Sequence, residues 1–200
     1  MKKEYLLAAV ILTALLLLDG FVSKKKANMK DKNPDRPVVT EQKSVAGGYH
    51  DPGFRKVVQV AFVVKDIEAS SRRWAELLGQ PVPKINTTRP GHEVKEIYRG
   101  KPSEGQVKLT FFDLGQVVIE LLQPVSPGTS WYEYLQKKGE GVQHLGFQIE
   151  DTEKTSAELE KLGYPMIHRG RYDGDNGDYI YHDALDSLGV VIELLHSDTK

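Results

Sequence analysis

Apolar residues in this chain fall into short blocks, and the blocks recur in the same order. Val57 to Val64 is an apolar run bounded by Arg55-Lys56 and Lys65-Asp66, which predicts a strand. Asp66 is placed to cap a helix in which Ile67, Ser70, Ser71, Trp74, Leu77 and Leu78 keep helical spacing, with Gly79 as its stop. Three further strands are expected at Val94–Tyr98, Val107–Asp113 and Gln116–Leu122. Ser130-x-x-Glu133 reads as a capping box that opens a short helix over Trp131 to Lys138, closed by Gly139. Then the order repeats. Val142–Ile149 is a strand, Asp151 caps a helix ending at Leu162-Gly163, and strands follow near Pro165–Arg169, Tyr179–Asp183 and Val190–Leu195. The pattern is βαβββ twice, an α+β fold of two like modules, 54–124 and 141–197, joined by a helical linker over 125–140.

Alternation within the strands shows which way the polar exceptions point. Val58, Val60, Phe62 and Val64 share one face of the first strand, opposite Gln59, Ala61 and Val63. In its twin, Leu145, Phe147 and Ile149 oppose His144, Gly146 and Gln148. In the closing strands, Val117, Ile119 and Leu121 oppose Glu120, while Val190, Ile192 and Leu194 oppose Glu193. The bulkier faces are expected to pack on the helices, so all four polar residues point the other way. A pseudo-twofold axis relating the modules would bring Gln59, Glu120, His144 and Glu193 together. A carboxylate facing a sheet interior is costly unless it is paired or binds a cation. Three oxygens and one imidazole nitrogen suit a divalent ion with water in the remaining positions, and an open position suits catalysis. Taken singly, each of these residues is more commonly a solvated carboxylate or a hydrogen-bonded side chain; the duplicated placement favours the ligand set.

Composition narrows the function classes. A net charge of −1 gives no basic field, so nucleic acid is not an expected partner. The chain has no cysteine, which excludes disulfides, thiolate ligands and a cysteine nucleophile. At the N-terminus, basic residues precede an apolar run of 13 residues, Leu6 to Leu18, and Lys24-Lys25-Lys26 follow it. Residues 1–23 therefore read as an export signal or a membrane anchor, with a tether through residues 6–22 as the alternative to cleavage, and the expected location is outside the cytoplasm. Residues 24–53 are rich in Lys, Asn, Asp, Pro and Gly and read as a disordered linker to a folded unit at 54–197.

Val57–Gly79, Gly115–Pro124, Gly139–Asp151 and Leu188–Leu195 resemble the vicinal oxygen chelate superfamily. That group includes glyoxalase I, methylmalonyl-CoA epimerase, extradiol dioxygenases and bleomycin-resistance proteins. The resemblance implies paired βαβββ modules forming a cup. It also implies a divalent metal (Zn, Ni, Co or Mn) held by the residues at Gln59, Glu120, His144 and Glu193. The set Gln, Glu, His, Glu is similar to that of some glyoxalase I enzymes. Lys137 to His144 and Glu120 to Pro124 are nearer the epimerase branch. Extradiol dioxygenases carry His where Gln59 stands, which disfavours iron-dependent oxygen chemistry. The implied activity is that of an isomerase or lyase. It moves a proton beside a carbonyl through an enediolate held on the metal, with Glu193 or Glu120 as base and a small molecule with vicinal oxygens as substrate. The alternative is a binding module that sequesters a small molecule without chemistry, as bleomycin-resistance proteins do. Members of the superfamily are often dimers, so a homodimer is a further expectation.

Other motifs rank lower. Asp173 to Asp178 hints at a calcium loop but lacks the glutamate at its twelfth position, where Ala184 stands, and reads as a turn. His92, His168, His182 and His196 are expected at loops or strand ends, solvated, with His182 a candidate for the cup lining. Trp131, Tyr132 and Tyr134 are expected to pack the helix between the modules, with a lid as the alternative.

Overall fold

A computed structural model describes residues 53–198. The expected export segment and all but the last residue of the expected linker lie outside the described residues. The first half comprises β1 (Val57–Val63), α1 (Ile67–Leu78), β2 (Asn86–Thr87), a 3-10 turn (Gly91–Val94), β3 (Ile97–Tyr98), β4 (Lys101–Pro102), β5 (Val107–Asp113) and β6 (Val118–Pro124). After α2 (Ser130–Lys138), the second half comprises β7 (Gly141–Gln148), α3 (Thr152–Lys161), β8 (Met166–Arg171), β9 (Gly177–His182), α4 (Leu185–Leu188) and β10 (Val191–Ser197). The architecture is α+β: one mixed sheet of ten strands in the order β2-β5-β6-β1-β7-β10-β9-β8-β3-β4.

The halves are related about the centre of this sheet. β1 pairs antiparallel with its twin β7, and each first strand pairs parallel with the last strand of its own half, β1 with β6 and β7 with β10. The outer face is covered by helices. Ile67 and Ala75 of α1 pack with Phe112, Ile119 and Leu121, joined by Val60 and Phe62. Leu159 of α3 packs with Ile149, Ile180, Ile192 and Leu194, joined by Phe147. These are the bulky faces that alternation assigned to the helices. The inner face buries Ala61, Val63, Val107, Leu122, Tyr181 and Val191 around Trp131 of α2. The sheet curls so that Phe111 of β5 and Tyr179 of β9, from opposite flanks, line one inner cavity.

Local signals account for the helices. Asp66 and Asp151 each accept a hydrogen bond, from the N–H of Ala69 and Lys154 respectively, which satisfies an orphan donor of the first turn. Gly79 closes α1 in the left-handed region at φ 63°. The capping box at Ser130 is corrected: the N-cap is Thr129, whose side chain accepts from Tyr132 N. Ser130 Oγ instead meets His168 Nδ1 at 3.0 Å, and Glu133 binds the Arg99 guanidinium at 2.9 and 3.0 Å. The strand expected at Val94–Tyr98 is also corrected. Gly91–Val94 is a 3-10 turn, and only Ile97–Tyr98 is extended. β3 pairs with β4 as a small hairpin, and that hairpin joins the second half rather than the strands of the first: β3 lies against β8, Ile97 opposite Arg169 and Tyr98 opposite His168.

Candidate metal and ligand site

The pairing register explains why four polar tips meet. Ala61 lies opposite Glu120 on one side and His144 on the other. Gly146, the twin of Ala61, lies opposite Gln59 and Glu193. The four polar side chains therefore surround two of the smallest residues of the sheet, on its inner face. A Cβ added at Gly146 would stand 2.9 Å from Gln59 Cβ, from Glu193 Oε2 and from Leu195 Cδ1, so the convergence depends on hydrogen at that position.

All four residues expected to hold a metal are brought together. His144 Nε2 lies 3.3 Å from Glu120 Oε2 and 3.1 Å from Glu193 Oε2. Gln59 Nε2 donates to Glu120 Oε2 at 2.5 Å and lies 3.3 Å from His144 Nε2 and 3.4 Å from Glu193 Oε2. His144 is wholly buried, and Glu120 and Glu193 are nearly so. Gln59, Glu120 and Glu193 open onto the cavity, with His144 behind them. Burial alone would push His144 down, but Glu193 and Glu120 outweigh it and raise the imidazole to about 9. Burial raises the Glu120 carboxyl, and the charge on Glu193 adds to this, against hydrogen bonds from His144 and Gln59. No lysine or arginine forms an ion pair with either glutamate among the described residues; His144 is their common partner.

This donor set fits a divalent ion in its chemistry. Two buried carboxylates share one imidazole, so the cluster lacks positive charge, which an ion would supply. Donors that share an ion at about 2.0–2.2 Å stand about 3 Å apart, as these tips do. The second shell fits too: His144 Nδ1 donates to Gln143 Oε1 at 2.5 Å, so that loss of the Nε2 proton to an incoming ion would turn a lone pair toward the cluster. The tips bond to one another, and no group of three or more His, Cys, Asp and Glu side chains among the described residues is set out to hold an ion. Gln59 presents its NH₂ to the centre; a half-turn of the amide would present Oε1 instead.

The cavity in front of the cluster measures about 260 Å³. Its walls are mainly apolar and aromatic, with Leu109, Phe111, Trp131, Tyr172, Tyr179 and Tyr181 among them. Burial first, and the neighbouring carboxylates after it, push Tyr172, Tyr179 and Tyr181 well above the usual phenol range, which keeps them as protonated donors. Glu193 acts on all three of these tyrosines.

The Glyoxalase/Bleomycin resistance protein/Dioxygenase superfamily model matches residues 58–182. The chain belongs to that superfamily. An uncharacterized protein YqjC of Bacillus subtilis (strain 168) is 29% identical over 92 residues, which span 46% of this chain and 66% of that relative. Among solved structures, a methylmalonyl-CoA epimerase from Mycobacterium tuberculosis is similar at TM-score 0.53 and 18% identity, over 73% of this chain and 90% of that one. A Streptomyces coelicolor methylmalonyl-CoA epimerase in complex with 2-nitronate-propionyl-CoA gives 0.52 and 19%, over 73% and 99%. A hypothetical protein from Bacillus halodurans C-125 gives 0.51 and 20%, over 72% and 96%. At these identities the likeness is one of fold, in agreement with the paired modules and the cupped sheet.

Several side chains around this superfamily cup lie elsewhere than the residue pattern predicts. His182 does not line it; buried beneath α3, it meets Tyr164 O at 2.8 Å and Ser156 Oγ at 2.9 Å. His168 is fully buried rather than solvated, packed on Trp131 with ring centroids 4.6 Å apart. Trp131 forms cavity wall and core, not a lid. Glu96, missed altogether, is 4% exposed and lines the cavity. Its signal in the sequence was weak: a lone glutamate in a polar stretch looks solvated. Asp173 to Asn176 is the turn between β8 and β9, and Asp173 accepts from Arg89 N at 3.3 Å.

Proposed function

We propose that this superfamily member is a divalent-metal-dependent enzyme that transfers a proton at a carbon next to a carbonyl, with a small molecule bearing vicinal oxygens as substrate. The observation that carries the reading is the meeting of Gln59, Glu120, His144 and Glu193 at the floor of a mainly apolar cavity. The ion, when bound, would supply electrophilic stabilisation of the oxygen on which charge develops as the proton leaves. Gln59, Glu120, His144 and Glu193 would hold it, and Gln143 would hold the imidazole. Glu193 is the proposed base, since its carboxylate faces the cavity tyrosines; Glu120 is the alternative. The apolar walls would exclude water from the reacting carbon, and the protonated tyrosines would orient the substrate's oxygens.

The test has two parts. Titration with Zn²⁺, Mn²⁺, Ni²⁺ and Co²⁺ should give about one site per chain, lost in an alanine series at the four positions. The loaded protein should then catalyse α-proton exchange into D₂O on members of a panel of α-hydroxy ketones and 2-substituted thioesters, followed by proton NMR. Glu193→Gln should abolish exchange with an unchanged circular dichroism spectrum. Near-normal exchange in that variant removes Glu193 as the base. Ion binding without exchange on any substrate favours the binding-module reading, and no ion binding at all defeats the metal-dependent one.

A further inference from the structure

Among the described residues, one charge in the wall of the cavity has no partner of opposite sign. Glu120 and Glu193 share His144, Glu96 Oε1 lies 3.4 Å from His168 Nε2, Arg171 meets Asp198 at 2.7 Å, and Asp173 meets Arg89 at 3.9 Å. Lys84 lines the same cavity and forms no ion pair among the described residues.

The backbone sends this side chain inward. Lys84, Asn86 and Thr88 alternate along the chain that leads into and through β2, and all three line the cavity. Ile85, between the first two, packs instead on the outer cluster with Ile67 and Phe112. Asn86 and Thr87 lie opposite Leu109 and Lys108 of β5. Carried two residues back, this register sets Lys84 beside Phe111, and Thr110 Oγ1 holds the chain there by donating to Lys84 O at 3.0 Å. Phe111 in turn lies opposite Glu120 of β6. Lys84, Phe111 and Glu120 therefore form one row across the inner face, with the cation and the carboxylate cluster two strand spacings apart, about 10 Å. β2 ends the sheet, and Lys84 is exposed at this rim, so its ammonium keeps its water until a ligand replaces it.

Asn86 completes the group. It is half-buried, and its amide has no hydrogen-bond partner among the described residues. Thr88 is already engaged, its Oγ1 accepting from Val107 N at 3.1 Å. An ammonium and an amide NH₂ two positions apart on one face can donate to the two oxygens of a carboxylate. Between them and the floor the wall is apolar, formed by Leu109, Phe111 and Leu122. In such cavities a few placed polar groups fix the orientation of an otherwise apolar ligand.

We propose that Lys84 and Asn86 form a carboxylate subsite at the rim of the cavity, so that the ligand is an apolar body with an anionic group at this end. The inference deepens the reading above, since it names the end of the substrate opposite the vicinal oxygens. It does not need the ion, and it is tested without metal.

The probes are phenylacetate and phenylacetamide, alike in shape and different in charge, titrated into the full chain after EDTA treatment and followed by protein NMR. Without an ion, the two glutamates at the floor repel an anion, so a bound carboxylate reports the rim. Phenylacetate should bind about fivefold tighter, the scale of a partly exposed ion pair. It should move the Asn86 side-chain amide resonances, and its advantage should shrink in high salt. Lys84→Met should bring the preference to near unity, Lys84→Arg should keep it and Lys84→Glu should reverse it, all three with an unchanged circular dichroism spectrum. Asn86→Ala should lower it about twofold. Equal binding of the two probes, or binding of neither, overturns the proposal. So does a preference that survives Lys84→Met and is lost in Arg171→Gln, since the carboxylate would then sit against the other wall. Absence of proton exchange with this preference intact removes the catalytic reading alone; exchange without the preference removes only this subsite.

Discussion

One hydrogen atom at position 146 separates two arrangements of the site. With Gly146, Gln59 and Glu193 close in across the β1–β7 and β7–β10 pairings. In Gly146→Ala, a methyl group would press on both, so the circular dichroism spectrum should stay as it is while ion affinity falls at least about tenfold, read by titration calorimetry. His182 offers a second test, away from the cluster. Burial pushes its imidazole below the ordinary 6.5, partly opposed by its bond to the Tyr164 carbonyl. The folded state thus prefers the neutral ring. Its contribution is present in full above pH 6.5 and is lost as pH falls toward the folded value, since the unfolded chain takes up the proton first. Denaturant titrations at pH 7.5 and pH 5 should show a larger loss for the native chain than for His182→Gln. The sequence marked Gln59, Glu120, His144 and Glu193, because each breaks an apolar alternation at a repeated place. Glu96 and His168 break none, and the burial of each arises from a strand crossing that no local pattern records.

At the scale of the element, the helices follow their own signals. An aspartate before the first turn is sufficient reason for α1 and α3 to begin where they do. Asp66→Ala and Asp151→Ala should each cost about 1 kcal/mol in denaturant unfolding at neutral pH, and the two costs should add, since the caps serve separate helices. α2 shows where such signals fail. Thr129 and Ser130 are both able caps, and spacing to Glu133 favours Ser130. The chain uses Thr129, because Ser130 is engaged by His168 and Glu133 by Arg99. Side chains that satisfy a motif locally were claimed by partners far along the chain. A backbone cause shortened the strand expected at Val94–Tyr98. The left-handed Lys95 turns the backbone after one 3-10 turn and sends Ile97–Tyr98 to another neighbour.

Across the whole molecule, the two modules share one sheet and one inner core. Val63 and Val107 from the first half pack with Ile167, Tyr181 and Val191 from the second, with Trp131 between them. No boundary divides that core, so unfolding should be a single cooperative transition. Tryptophan fluorescence, reporting on Trp74 in the first half and on Trp131 at the centre, should give the same midpoint as far-ultraviolet circular dichroism; separated midpoints would mean that the halves melt independently. The repeat made this architecture legible from the residues alone, down to which faces meet. What it could not convey was exchange between the copies, because a repeat is read as two equal and self-sufficient units.

That exchange bears on how the protein could be taken apart. The outer border of the second half is finished by Ile97–Tyr98 and Lys101–Pro102, which the first half lends across the cup, and Arg99 between them is fastened to Glu133 of the connecting helix. Severed between the halves, neither fragment would own all of its walls: one would carry a loose ribbon, the other an unfinished rim and a His168 ring stripped of Tyr98. The pieces would need to find each other before either could close.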